Sequence, residues 1–413
     1  MHFFYTLILQ FYGLLLRLAA FFNPKAAQWV AGRRRWRSRH QALLEGTPRG
    51  PVPLLWVHCA SLGEFEQGRP VIEQLKAVHP EWKILLTFFS PSGYEVRKNY
   101  QEADYITYLP LDTPANARDF VALWEPTAAV FVKYEFWYHH LNALREAGVP
   151  IVLVSALFRP GQLFFRWFGG PFQQVPGWFH HIFVQNENSA KLLAAYGFDN
   201  FSVAGDTRVD RVRQIAETAP SFPLVENFAS TSPVLVIGSS WPEDEALLLP
   251  FLNEQLPVGW KAIIAPHQVD EGHIRQILKK LKLPFRRYSE GEKETGARVL
   301  VIDNVGMLSA LYQYGRIAYI GGAFGSGLHN TLEPIAFGLP VIFGPGFRKF
   351  EEARYLVQSG GGFSISGPEE LQDAFSSLLG EEAYRRASEK ARDYVLRNSG
   401  ASRKAAAYIR ELI

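Results

Sequence analysis

Pro53-Leu54-Leu55-Trp56-Val57-His58-Cys59-Ala60-Ser61-Leu62-Gly63-Glu64-Phe65-Glu66 joins a short apolar run, through small residues, to a stretch with helical spacing. The run Pro53–His58 has the near-continuous apolar character of a strand covered on both faces, and Glu66–Val78 reads as the helix that follows it. A buried strand, a turn and a helix form the repeating unit of a parallel α/β sheet. Outward from this unit the pattern recurs. Lys83–Phe88, Ala128–Val132, Ile151–Val154 and His181–Val184 read as strands, with helices at Pro91–Tyr100, Phe136–Ala147 and Asn188–Tyr196. A second series of strands follows at Val234–Ile237, Lys261–Ala265, Val299–Ile302, Ile317–Ile320 and Pro340–Phe343. Between the two series Pro220, Pro223 and Pro233 break the weakly patterned stretch Thr218–Pro233, which marks a boundary. The expected architecture is two doubly wound α/β domains, 25–218 and 219–413. The charged last helices, Tyr384–Arg397 and Ser402–Leu412, are long enough to cap or cross between them. Sheets of this kind bind ligands at the carboxyl ends of their strands, here expected in the cleft between domains.

With 413 residues, 47% of them hydrophobic and 20% charged, the chain is globular and long enough for two or three domains. Its one cysteine excludes a disulfide scaffold and a cysteine-based zinc site. The net charge of +3 hides an asymmetry. No acidic residue precedes Glu45, whereas Arg17, Lys25, Arg33, Arg34, Arg35, Arg37 and Arg39 do. The rest is slightly acidic, so basic charge is not spread over the body as nucleic-acid binding requires, and no nucleic-acid partner is expected. Phe3–Phe22 is almost continuously apolar, interrupted by Gln10, Gly13 and Arg17. Residues 1–24 are therefore expected to form an N-terminal membrane-anchor helix, either a spanning signal-anchor or an interfacial helix. Its arginine cluster would face the headgroups of membrane lipids. Positive charge follows the apolar run instead of preceding it, which argues against a cleaved signal peptide. The alternative is a first helix of the globular body.

Two turns carry candidate chemistry. After the first strand, Gly63 permits close backbone approach, and the helix start favours an ionised Glu64, suited to a general base. An ordinary helix-start carboxylate is the plainer alternative. Cys59 reads as a small strand-end residue and His58 as a packed one. The second turn, Gly321-Gly322-Ala323-Phe324-Gly325-Ser326-Gly327-Leu328-His329-Asn330-Thr331-Leu332-Glu333-Pro334, places glycines between a strand and a helix. Such a loop can approach a phosphate, and Glu333 could accept both hydroxyls of a ribose. The spacing is neither a Rossmann nor a Walker fingerprint, and a structural glycine turn is the alternative. Gly238-Ser239-Ser240-Trp241 and Ala265-Pro266-His267-Gln268 follow neighbouring strands and point to the same cleft. Glu243, Asp244 and Glu245, at a helix start, read as solvated rather than metal-binding.

Taken together, these residues resemble the Kdo (3-deoxy-D-manno-octulosonic acid) transferases. The resemblance runs from the apolar leader and Ser61-Leu62-Gly63-Glu64 through Lys133-Tyr134-Glu135-Phe136-Trp137 and Gly205-Asp206-Thr207-Arg208-Val209-Asp210. It continues to His329-Asn330-Thr331-Leu332-Glu333-Pro334, Gly338-Leu339-Pro340-Val341 and Gly344-Pro345, and so spans nearly the whole chain, to at least Ala353. It implies a GT-B glycosyltransferase with two Rossmann-like domains, the acceptor on the first and CMP-Kdo on the second. It further implies inverting transfer of Kdo to the lipid A precursor lipid IVA at the cytoplasmic face of the inner membrane. Neither a cofactor nor a metal is implied. By motif match, Glu64 is the proton acceptor, and Glu135 and Arg208 stabilise the transition state. Ser239, Ser240, Pro266, His267, Gly306, Met307, Leu308, Asn330, Thr331, Leu332 and Glu333 would contact CMP. The chain departs from the family in His267 for a common Arg, Arg208 for a common Lys, and Gly306-Met307-Leu308 for Gly-Glu-Leu. The other readings are a GT-B-like enzyme on another nucleotide sugar, such as a lipid disaccharide synthase or an epimerase, and a non-catalytic membrane-anchored nucleotide-binding scaffold.

Overall fold

The computed structural model describes residues 2–291 and 296–413. The chain forms two compact units, Met1–Arg211 with Ser399–Ile413, and Val212–Asn398. The first unit holds seven parallel strands: β1 (Leu54–Cys59), β2 (Lys83–Phe88), β3 (Tyr105–Tyr108), β4 (Ala128–Val132), β5 (Ile151–Ala156), β6 (His181–Val184) and β7 (Phe201–Val203). Their order is β3-β2-β1-β4-β5-β6-β7. The sequence of strands therefore reverses direction between β1 and β4, the switch point at which open α/β sheets offer a crevice to ligands. Every residue of β1 is buried, as expected for a central strand covered by helices on both faces. Trp56 packs with Phe120 and Phe131 on one side of the sheet, with ring centroids 4.7 and 5.2 Å away. On the other side Val57, Val130 and Val154 share a core with Phe65 and Ile72 of the helix Leu62–Val78, and with Ala405 and Ile409 of the last helix, Ala401–Leu412. Gly68 lets that helix settle on β1, because a Cβ there would lie 2.9 Å from the Cys59 sulfur.

The second unit repeats the plan. Its strands β8 (Val234–Ser240), β9 (Lys261–Pro266), β10 (Phe285–Arg287), β11 (Val299–Val301), β12 (Ile317–Ile320), β13 (Val341–Phe343) and β14 (Gly362–Ser364) are parallel. They lie in the order β10-β11-β9-β8-β12-β13-β14, with the switch point between β8 and β12.

The N-terminal segment needs correction in its spanning form. His2–Ala19 is a helix, but among the described residues no helix is long and apolar enough to cross a membrane. Gln10 and Arg17 lower its hydropathy, and one face is occupied by protein. The Tyr5 hydroxyl donates to Asp112 Oδ2 (2.6 Å), Thr6 Oγ1 lies 2.8 Å from His139 Nε2, and the Tyr12 ring meets Trp29. Asp112 is fully buried and also accepts the backbone N–H groups of His139 and His140. The other face leaves Phe3, Phe4, Ile8, Phe11 and Leu15 exposed.

Candidate active site

In the first unit, three of the anticipated residues follow β1, β4 and β7: Glu64 and Arg208 in the first turns of the helices Leu62–Val78 and Thr207–Glu217, and Glu135 in a loop. Ser61 caps the helix Leu62–Val78: its hydroxyl oxygen accepts the Gly63 N–H (3.2 Å), and the same hydroxyl donates to Glu64 Oε2. Glu64 is thus a helix-start carboxylate, as the plainer reading held. It also stands at the switch point with the Lys133 ammonium 4.0 Å from its second oxygen. Lys133 opens the loop after β4 in a left-handed conformation (φ 68°) that β5 pins, the Lys133 N–H bonding to the Val154 carbonyl. Such backbone strain in a non-glycine residue is held by its surroundings and gathers at functional sites.

Glu135 is nearly buried, and its Oε2 accepts the Trp137 indole N–H at 2.7 Å. That indole also reaches His58 Nε2 (2.9 Å), which lies 3.4 Å from the same carboxylate oxygen. An indole only donates, so His58 Nε2 is the accepting nitrogen and Nδ1 carries the proton towards Thr87 Oγ1, 2.8 Å away. Burial lowers the His58 pKa against the pull of Glu135, which keeps the ring neutral. Cys59 is buried; burial, with Glu64 and Glu135 adding to it, raises its thiol pKa, so it stays a protonated strand-end residue. Burial also raises the Tyr134 pKa; Arg159 opposes this, Glu64 adds to it and Arg208 opposes it, so this phenol feels both the β1 and the β7 loops.

Arg208 directs Nε and one terminal nitrogen to Asp206 Oδ2 (2.8 and 2.7 Å), while Asp206 Oδ1 accepts the Arg208 backbone N–H and the Gln67 amide. Burial would raise the Asp206 pKa, but Arg208 outweighs it and the result is a lowered value. Arg208 therefore already faces a carboxylate. Lys133 and Asp206 were not singled out in the sequence; the only signal was their place inside motifs noted for Glu135 and Arg208.

In the second unit the anticipated nucleotide contacts follow the carboxyl ends of β8, β9, β11 and β12. Ser239 sits in a bulge of β8 at φ 52°. Pro266 ends β9, and the His267 ring stacks on Trp241 at 4.3 Å. Trp241 Nε1 donates to His329 Nε2 (2.9 Å), so the three rings form one array. Gly306 takes φ 91°, Met307 sulfur accepts the Asn304 amide (3.0 Å), and Leu308 begins a short helix. Asn330 Nδ2 donates to Glu333 Oε1 (3.0 Å), and its own oxygen accepts the Leu332 N–H. Thr331 Oγ1 is buried without a hydrogen-bond partner.

One expectation fails here. Asp244 and Glu245 are buried rather than solvated. Asp244 accepts the Trp241 N–H, the Gly322 N–H and the Tyr319 hydroxyl, and Glu245 binds Ser240 and His273 at 3.0 Å each. The amides of the loop glycines are hydrogen-bonded within the fold. The N–H of Gly321 bonds to Gly238, that of Gly322 to Asp244, and those of Gly325 and Gly327 to the Gly322 carbonyl. Glycine is required for packing: a Cβ at Gly321 would lie 2.2 Å from the Ser239 oxygen. Among the described residues no cluster of three or more His, Cys, Asp or Glu is arranged to hold a metal.

The chain is similar to known proteins in sequence and in fold. The family profile "3-Deoxy-D-manno-octulosonic-acid transferase (kdotransferase)" matches residues 34–211. The 3-deoxy-D-manno-octulosonic acid transferase of Aquifex aeolicus is 28% identical over 82% of this chain and 90% of its own length. Those of Chlamydia pneumoniae (26%; 82% of this chain, 80% of that one) and Haemophilus influenzae (26%; 85% of each) are similar over comparable spans. Among solved structures, UDP-GlcNAc 2-epimerase from Neisseria meningitidis superposes with a TM-score of 0.57 at 15% identity, covering 87% of this chain and 99% of that one. MurG from Acinetobacter baumannii gives 0.56 at 13%, covering 87% and 100%. At such identities the likeness concerns the fold alone, and it bears out the GT-B expectation. With that domain matching residues 34–211 and such relatives over four-fifths of its length, the chain is similar to the 3-deoxy-D-manno-octulosonic acid transferases.

Proposed function

We propose that the protein transfers 3-deoxy-D-manno-octulosonic acid, with inversion, from CMP-Kdo to the lipid A precursor lipid IVA. The observation that carries this reading is the kinship with Kdo transferases over 82% of the chain. In the proposed reaction an acceptor hydroxyl attacks the anomeric carbon, the bond to the phosphate oxygen breaks, and CMP leaves with the electron pair. Glu64 takes the hydroxyl proton, and the Lys133 ammonium beside it stabilises the carboxylate in its basic form. Glu135 and Arg208 act on charge that develops in the transition state. Asp206 holds the Arg208 fork in place and moderates its charge. On the second unit Ser239, Ser240, Pro266, His267, Gly306, Met307, Leu308 and Asn330–Glu333 hold CMP, with Glu333 on the ribose. No cofactor or metal enters the scheme.

The first helix belongs to this proposal as an interfacial element on the cytoplasmic face of the inner membrane. Its exposed Phe4, Ile8 and Phe11 would enter the leaflet, while the following arginines meet anionic headgroups. The test is purified protein with CMP-Kdo and tetraacyl lipid A precursor, the products weighed by mass spectrometry. One or more Kdo masses added to the lipid are expected. Transfer from UDP-sugars only, or no transfer from any donor, would overturn the proposal.

A further inference from the structure

Away from the residues assigned to transfer, the first three helices border a cavity of about 740 Å³ lined by Arg17, Arg33, Arg34, Arg35 and Arg37 and by no carboxylate. Among the described residues only Arg37 of these is paired with an acid, its Nε bonding to Asp119 at 2.7 Å. Arg33 is held unlike a surface arginine. Its guanidinium carbon lies 3.9 Å from the Trp29 ring centroid, 4.7 Å from Phe89 and 5.1 Å from Tyr108. Two of its nitrogens donate to the carbonyls of Trp29 and Phe89, and its buried Nε has no hydrogen-bond partner among the described residues. Burial pushes its pKa down to about 9. Arg35 is left-handed, at φ 52°, with no side-chain cap to reward that conformation. The Arg33 charge lies against aromatic rings, where repulsion from neighbouring arginines is screened less than in water, and an anion among them relieves it. Guanidinium forks match a phosphate in geometry as well as charge.

Position narrows the kind of anion. Gln10, Gly13 and Arg17 form one wall of the cavity, and they come from the helix that exposes Phe4, Ile8 and Phe11. A free anion would answer only the arginines. A phosphate that carries acyl chains answers the arginines and the apolar residues together.

We infer that this cavity is a receptor for the phosphate headgroup of an anionic membrane lipid, bound by Arg17, Arg33, Arg34 and Arg35 while the exposed face of the same helix lies in the leaflet. The inference rests on the proposed interfacial placement of that helix. The test is flotation of the full chain with phosphatidylcholine vesicles, with and without phosphatidic acid or phosphatidylglycerol. Wild type should bind the anionic vesicles about tenfold more tightly or better. Arg34→Glu with Arg35→Glu should abolish that preference and leave binding to pure phosphatidylcholine as it was. The milder pair Arg34→Gln and Arg35→Gln, with an unchanged melting temperature, guards against misfolding and should lose most of the preference. Inorganic phosphate at millimolar concentration should compete only weakly. An unchanged preference in both pairs overturns the inference. So does inorganic phosphate that raises the melting temperature as much as the anionic lipid, which would make the cavity a site for a free anion. CMP affinity and turnover on detergent-dispersed acceptor are read in parallel: their absence, with lipid preference intact, would sink the transfer proposal and leave this one standing.

Discussion

Glu64→Gln keeps the side-chain shape and an oxygen for the Ser61 hydroxyl but removes the base. Turnover should fall roughly 10²–10⁴-fold while CMP affinity, proposed to reside in the other unit, holds. Glu333→Gln should do the reverse, raising the donor KM and weakening CMP binding, because the charge-assisted hydrogen bond proposed to the ribose would become a neutral one. Steady-state kinetics with a direct CMP titration separates the two; a loss of CMP affinity in the Glu64 variant would show that the roles are wrong. Arg208→Ala should lose about 3 kcal/mol of transition-state stabilisation. Arg208→Lys should fall between that and wild type, since a single ammonium keeps the charge but cannot reproduce both bonds to Asp206. Equal activity in all three would remove Arg208 from the mechanism. Asp206 adds a pH signature. Its folded pKa lies below the ordinary carboxylate value, so its stabilising contribution is fully present above about pH 4 and is lost as pH falls through the lowered folded value. Asp206→Asn should therefore flatten part of the acid limb of a stability–pH profile. Glu64 was legible in the sequence because its turn is local: strand end, small residues, helix start. Lys133 was not, because what brings it to Glu64 is the pairing of β1 with β4, which has no local spacing; Asp206 is two residues from Arg208, and what stayed hidden is that its other oxygen takes the Gln67 amide from the helix after β1. The indole shared by His58 and Glu135 was hidden for the same reason.

Elements differ in how much of themselves they write into sequence. The interior strands were readable from their apolar runs. The four that were not, β3, β7, β10 and β14, are the outermost strands of the two sheets. An edge strand is covered on fewer sides, so nothing demands a continuous apolar run; β7 is only half-buried throughout, and β10 contains two arginines. The first helix shows the complementary case. Its composition revealed the apolar face but not that Tyr5, Thr6 and Tyr12 bind it to the body. Deleting residues 2–24 would therefore remove packing as well as lipid contact, and it should leave Asp112 short of one donor. Phe4→Ser with Ile8→Ser and Phe11→Ser is the cleaner change. Vesicle association should drop while the melting temperature stays within a degree or two, since these side chains are exposed. Tyr5→Phe should do the opposite, lowering stability by roughly 1–2 kcal/mol through the lost hydroxyl bond to buried Asp112, with lipid binding retained. If the triple serine variant melts far below wild type, that face packs against protein and the interfacial reading fails.

The largest-scale feature is the return of Ser399–Ile413 to the first unit. Ala401, Ala405 and Ile409 are buried in the core that Leu55, Val130 and Val152 share, and Asp210 accepts the backbone N–H groups of Gly400 and Ser402. Truncation after Asn398 should destabilise the first unit by several kcal/mol, from the apolar burial of these residues alone. Denaturant unfolding should then show an early transition for the first unit and an unaltered one for the second, and coincident transitions at the wild-type midpoint would contradict the packing described. The same feature imposes an order of events on biosynthesis. Val212–Asn398 is continuous, so the second unit holds all of its own chain before residue 401 has been added. The first unit, although translated earlier, must wait with one flank of its sheet bare until the helix Ala401–Leu412 has emerged. For the interval in which its neighbour is translated, Leu55, Val130, Val152 and Val154 form a nascent apolar surface available to a chaperone.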